Sequence, residues 1–239
     1  MLTIAHSELI QLFRDRTALF TSLIMPVAAS VYFIYNRELF ASYSGLGLVA
    51  VLLVFTIVSF SLYGTVVTTL AARRQNLFLK RLRSTAATDP AILSGLVLPV
   101  TVIALVQLGL ILVAFSVVSD APANIPLLAL AIAATVAMML ALGMATAGLT
   151  QSSERAQITT LPISLGIVAI AIWVGASGTE SLTLVKRLLP GGAATELVVQ
   201  AWDGGTRIGD SLLLLAPTLA WVGVAILLAT RLFRWEPRR

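Results

Sequence analysis

The chain of 239 residues is 58% hydrophobic and 11% charged, with a mean hydropathy of +0.96 and a formal charge of +5. A soluble domain carries about 25% charged residues, so these values exclude a water-soluble globule, and so little charge also excludes a disordered chain. With no cysteine and one histidine, His6, disulfide scaffolds, thiolate metal sites, iron–sulfur clusters and cysteine nucleophiles are excluded, and little room is left for His-based metal sites or haem.

The charges leave six windows free of Asp, Glu, Lys, Arg and His, of 20, 34, 30, 33, 24 and 20 residues. About 20 apolar residues span a hydrocarbon core as a helix. The pattern predicts an all-α integral membrane protein, one transmembrane domain over residues 1–239, with spans near 18–36, 46–71, 91–118, 126–150, 157–176 and 211–231.

The N-terminal stretch, residues 1–16, places Leu2, Ala5, Leu9, Leu12 and Phe13 at helical spacing, with Ser7, Glu8, Gln11, Arg14 and Asp15 on the other side. It reads as an amphipathic helix lying along the inner leaflet, or as a cytoplasmic extension of the first span. That span is not a cleavable signal: Ala18 to Tyr35 exceeds a typical h-region and no A-x-A-like site follows. Pro26 kinks the span or marks its start.

In the second span Thr56, Ser59 and Tyr63 share one face, and in the third Gln107 stands alone. Intramembrane polar groups turn towards a neighbouring helix or a wet cavity, so these four, with the mid-span Trp221 of the last helix, are candidates either for packing or for lining a substrate path. Between the second and third spans, residues 73–89 carry Arg73, Arg74, Lys80, Arg81 and Arg83 around Leu77, Phe78, Leu79 and Leu82. A basic helix with interleaved apolar residues suits docking on a partner, although from charge alone an ordinary positive-inside loop is the better reading. Asp89 and Pro90 supply a cap and a first-turn proline for the third span.

The hairpin "SDAPANIP" links the third and fourth spans, and Gly143, Ala147 and Gly148 allow close helix approach in the fourth. Glu154 and Arg155 form a second inner loop. The outer segment 177–210 combines apolar residues with a break at Pro190, Gly191 and Gly192. It reads as two short helices dipping into the outer leaflet, or as a surface loop with an aromatic anchor. Trp173, Trp202 and Trp235 fall near the predicted interfaces, where indole rings are favoured.

With both termini inside, the inner segments hold twelve of the sixteen basic residues and the outer ones four. Positive loops stay cytoplasmic, so both termini are expected in the cytoplasm. The same topology accounts for the basic balance without nucleic acid. Charge-free spans lack the relay groups of proton-coupled carriers, no internal repeat points to a secondary carrier, and no G-x-x-x-x-G-K-[ST] loop would bind ATP. The "GASG" at Gly175–Gly178 imitates a membrane serine protease, but His6 lies on the other side from Ser177 and cannot serve as its base.

The stretches "LFRDRTALFTSLIMPV", "LKRLRSTAATDPAILSG" and "LLPGGAATELVVQAW", together with the six spans, resemble the membrane subunits of ABC type-2 exporters across essentially the whole chain. The family's Asn-Pro before the outer stretch is Leu189-Pro190 here. The resemblance implies an elbow helix at 1–16, re-entrant helices within 177–210 and a coupling helix over Lys80–Asp89. Lys80, Arg81, Leu82, Arg83 and Asp89 would dock the motor, with a secondary contact at Glu154 and Arg155. It further implies a multi-pass permease of the cell (inner) membrane paired with a second permease chain, identical or not. A separate ATP-binding cassette subunit would bring the ATP and Mg, no cofactor being bound by this chain. Efflux of a hydrophobic or amphipathic drug (multidrug export), lipid or peptide is the expected activity, with no enzymatic chemistry of its own. A non-transporting scaffold or signalling anchor whose basic loop binds a soluble partner is the alternative.

Overall fold

The computed structural model describes residue 14 and residues 16–84, 88–205 and 208–232. The predicted elbow at 1–16, but for Arg14 and Arg16, lies outside the described residues, as do Trp235 and the side chains of Lys80 and Arg83. Every described element is helical. Helix α1 runs as Arg16–Leu19, a π-helical turn Phe20–Ile24 and Met25–Tyr35. Next come α2, Arg37–Ser44, and α3, Leu46–Gln75, the latter with a π segment at Ile57–Gly64. A short α4, Phe78–Arg83, precedes α5, Asp89–Val118, and α6, Ile125–Leu149. The chain ends with α7, Ser153–Ser177, the short pair α8, Thr183–Leu188, and α9, Gly192–Asp203, and α10, Ile208–Leu232.

Five helices, α3, α5, α6, α7 and α10, are long and apolar enough to cross a membrane, which makes this a multi-pass membrane protein. The apolar part of α1, Phe20–Tyr35, is shorter. The observed ends fall within a few residues of the expected ones. No element is expected between the first two spans from the sequence, whereas α2 fills that connection.

Helix α3 is the centre of the bundle. Its apolar window is 89% buried, against 17% for α10 at the periphery, as expected of a helix that is apolar all round. It packs against α1, α2, α5, α6, α7 and α9. Between apolar helices in lipid the driving force is close contact rather than exclusion of water. Gly143 of α6 supplies such a contact, since a Cβ there would stand 3.0 Å from Val66 Cγ1 of α3.

Pro26 neither breaks α1 nor begins it. It has no N–H for the carbonyl of Ser22, which falls within the π turn that absorbs the mismatch. Pro99 and Pro162 lie inside α5 and α7. Asp89 starts α5 with Thr88 as the residue before it, so it belongs to the first turn of α5, where an acid suits the helix dipole, and not to α4.

Candidate functional site

At one end of the bundle, α3 stops at Gln75 and the chain turns through Leu77, whose φ of 57° is left-handed. Helix α4 follows this turn and packs against α3 and α5. Leu79 is fully buried, and Phe78 and Leu82 pack half-buried against the core. The guanidinium of Arg73 lies 5.5 Å from the Phe78 ring, and Arg81 faces outward. Leu82, a candidate for contact with a partner, packs one side on its own bundle and is partly exposed on the other.

Arg74, by its sequence context only one more loop charge, is 1% exposed. It donates to Gly148 O (3.4 Å) and to Thr150 O, the carbonyls that end α6. The connection from α6 to α7 follows at once: Ser152 accepts from Arg155 N, and Arg155 donates to Gln151 Oε1. Glu154 and Arg155 are exposed, so the structure brings them to the same end of the bundle as Arg81.

Deeper in the bundle, Thr56, Ser59, Tyr63 and Gln107 are all buried within the single chain. Tyr63 OH donates to Thr146 Oγ1 (3.1 Å), tying α3 to α6, and Ser164 Oγ of α7 donates to Ser59 O (3.3 Å). Gln107 accepts from Ser61 Oγ (2.8 Å) and donates to Leu23 O (3.4 Å), so one amide joins the two π segments. Ser61, Ser164 and Thr146 carry no distinguishing signal in the sequence, since each is one small polar residue in an apolar run. An apolar groove between α5 and α6, lined by Leu105, Leu108, Gly109, Leu112, Ile132 and Val136 among others, contains none of the polar candidates.

At the opposite end, α8 and α9 form a hairpin. Leu182, left-handed at φ 55°, starts α8, and the turn uses Pro190 and Gly191 at φ 88°. Both glycines are required. A Cβ on Gly191 would meet Phe55 Cε1 at 2.9 Å, and one on Gly192 would run into the carbonyl of Lys186. The other end of α9 reaches the first turn of α3, where Asp203 Oδ1 accepts from Gly47 N (2.8 Å). At 1.5 Å per residue, Gly192 lies about 16 Å further along the bundle than Asp203. Trp221, mid-way along α10, donates to Leu188 O (2.8 Å) at this turn, which explains the indole in mid-span.

The hairpin is internally polar. Arg187 makes a bidentate pair with Glu196 (2.8 and 2.7 Å), Gln200 donates to Glu196 Oε1 (3.3 Å), and Ser211 donates to Gln200 Oε1 (2.7 Å). The hydrogen bonds that Arg187 donates to the Glu196 carboxylate push its pKa up. Lys186, 1% exposed, donates to Ser177 Oγ (2.9 Å) and Gly178 O (2.6 Å) and stands 5.3 Å from the Trp173 ring. Partial burial pushes the Asp203 carboxyl above the usual carboxylate range, while the Gly47 N–H pulls it back.

Trp202, expected at an interface, is buried and stacks on Phe115 at 4.8 Å. Its carbonyl and that of Ala201 accept from Ala123 N and Asn124 N (3.0 and 2.9 Å), so the α5–α6 turn is strapped to α9. The segment 177–210 is therefore no free surface loop. Among the described residues, no group of three or more His, Asp or Glu side chains converges to hold a metal. No protein-family model matches the chain, and no curated protein matches it.

Proposed function

We propose that this chain is the permease subunit of an ATP-driven exporter of the ABC type-2 kind, working beside a second permease chain and moved by a separate ATP-binding subunit. The observation that carries the reading is α4: a short basic helix fastened to the end of the bundle by Leu79, Phe78 and Leu82, with Arg81 outward and Glu154 and Arg155 exposed at the same end. Spans without charge offer no internal means of coupling to protons, so the work must arrive from outside. A firmly attached docking helix is where it would enter.

In this reading both termini are cytoplasmic, α1 is the first of six spans, and the α8–α9 hairpin dips into the outer leaflet. ATP and Mg²⁺ belong to the partner. The pair of permease chains alternates between inward-open and outward-open states as rigid bodies. The apolar groove and apolar span surfaces favour a hydrophobic or amphipathic substrate over sugars or metal ions.

Co-purification of the detergent-solubilised chain with a neighbouring ATPase provides the test. Replacing Lys80, Arg81 and Arg83 by Glu is expected to abolish association and ATP-dependent export together. Normal assembly and transport in that variant would sink the docking assignment. Association that survives but never responds to nucleotide would favour a scaffold or signalling anchor.

A further inference from the structure

Arg74 sits in the last turn of α3, one side chain away from the turn into α4. A buried guanidinium is costly unless it is met by hydrogen-bond acceptors. The carbonyls of Gly148 and Thr150 meet it at the C-terminal end of α6, where the helix dipole also favours a cation. Two parts that are distant in sequence meet at this side chain: the end of α3 that carries α4, and the end of α6 with the connection Thr150–Ser152 that leads into α7. A guanidinium presents several donors in a fixed plane and can serve two carbonyls at once, whereas an ammonium is a point donor.

We infer that Arg74 is a positioning residue that locks the two inner connections into one rigid platform, so that displacement of α4 is delivered to α6 and α7 as well as to α3. The clamp itself is a property of this chain, and the inference rests on the proposed function only for what supplies the displacement. Without it, the last turn of α3 is held to α6 and α7 by apolar packing, and the π segment Ile57–Gly64 is a place where α3 can yield. Movement at the end of α3 would then reach α6 and α7 less completely.

Spin labels at Ser84→Cys and Gln157→Cys, both exposed positions next to the two connections, read the platform in the full chain, which has no native cysteine. The parent is expected to give one narrow distance distribution. Arg74→Ala should widen it at least twofold and Arg74→Lys by an intermediate amount. Phe115→Leu, a loss of buried packing at the opposite end, should leave it narrow. Equal widths in the parent and Arg74→Ala, or equal widening in Phe115→Leu, would overturn the inference. If Arg74→Ala does not fold, Arg74→Lys decides: widening supports the clamp, and the parent's width refutes it. A chain that shows the expected widths yet never binds an ATP-binding subunit would refute the proposed function and leave the clamp standing.

Discussion

Gly47 offers its N–H at the first turn of α3, and the acceptor comes from Asp203, 156 positions later. The residue preceding that helix is Gly45, at φ 84°, which has no side chain to cap with. Asp203 thus supplies from α9 the cap that Ser, Thr or Asp would ordinarily supply locally. Asp203→Ala is expected to lower stability by about 1 kcal/mol, as cap removals do, while Asp203→Asn keeps an acceptor and should be near neutral. The pH dependence has a definite sign. Because the folded-state pKa is raised, the folded chain holds this proton more tightly than the unfolded chain. Its contribution to stability is therefore present below the unfolded carboxylate value and is lost as pH rises through the folded one. Melting of the purified protein across the mildly acidic range checks both points: Asp203→Asn should remove that slope, and an unchanged slope would contradict the assignment.

At the scale of elements, the α8–α9 hairpin separates what a local pattern encodes from what packing adds. The Pro190-Gly191-Gly192 break and the apolar Leu197, Val198 and Trp202 mark two short helices in the sequence itself. The reason both glycines are needed lies elsewhere in the chain, in Phe55 and the Lys186 carbonyl that close on them. Gly192→Ala should cost about 3 kcal/mol or more, because the obstacle is backbone and cannot turn aside. Gly109→Ala in α5 meets nothing within 4 Å and should be neutral or stabilising by up to about 1 kcal/mol. Thermal melting in detergent separates the two. The polar span residues divide in the same way: helical spacing puts Thr56, Ser59 and Tyr63 on one face. What that face meets is set by α6 and α7, which supply Thr146 and Ser164.

The molecule as a whole is a bundle around α3, with the basic connections at one end and the α8–α9 hairpin at the other. The charge distribution predicts which end faces the cytoplasm. Single cysteines introduced into this cysteine-free chain give a direct measurement. Labels at Ser84 and Gln157 should be reached by an impermeant reagent only from the inside, and labels at Asp120 and Glu180 only from the outside. The opposite pattern would put α4 on the wrong side for an ATP-binding partner and would refute the proposed function.

The sequence by itself determined the long apolar helices, their ends to within a few residues, the basic connections and the hairpin break. These follow from hydropathy, charge and proline or glycine along one dimension, where each signal is carried by neighbouring residues. Only the tertiary structure decided that α3 is central, that Arg74 clamps α6, that Asp203 caps α3, that Gln107 joins two π segments and that Trp221 holds Leu188. Each of these pairs a polar group with an acceptor or donor far away in the chain. Apolar surroundings penalise an unsatisfied polar group but do not say which distant partner will satisfy it. That choice belongs to the packing of helices, which no single segment encodes.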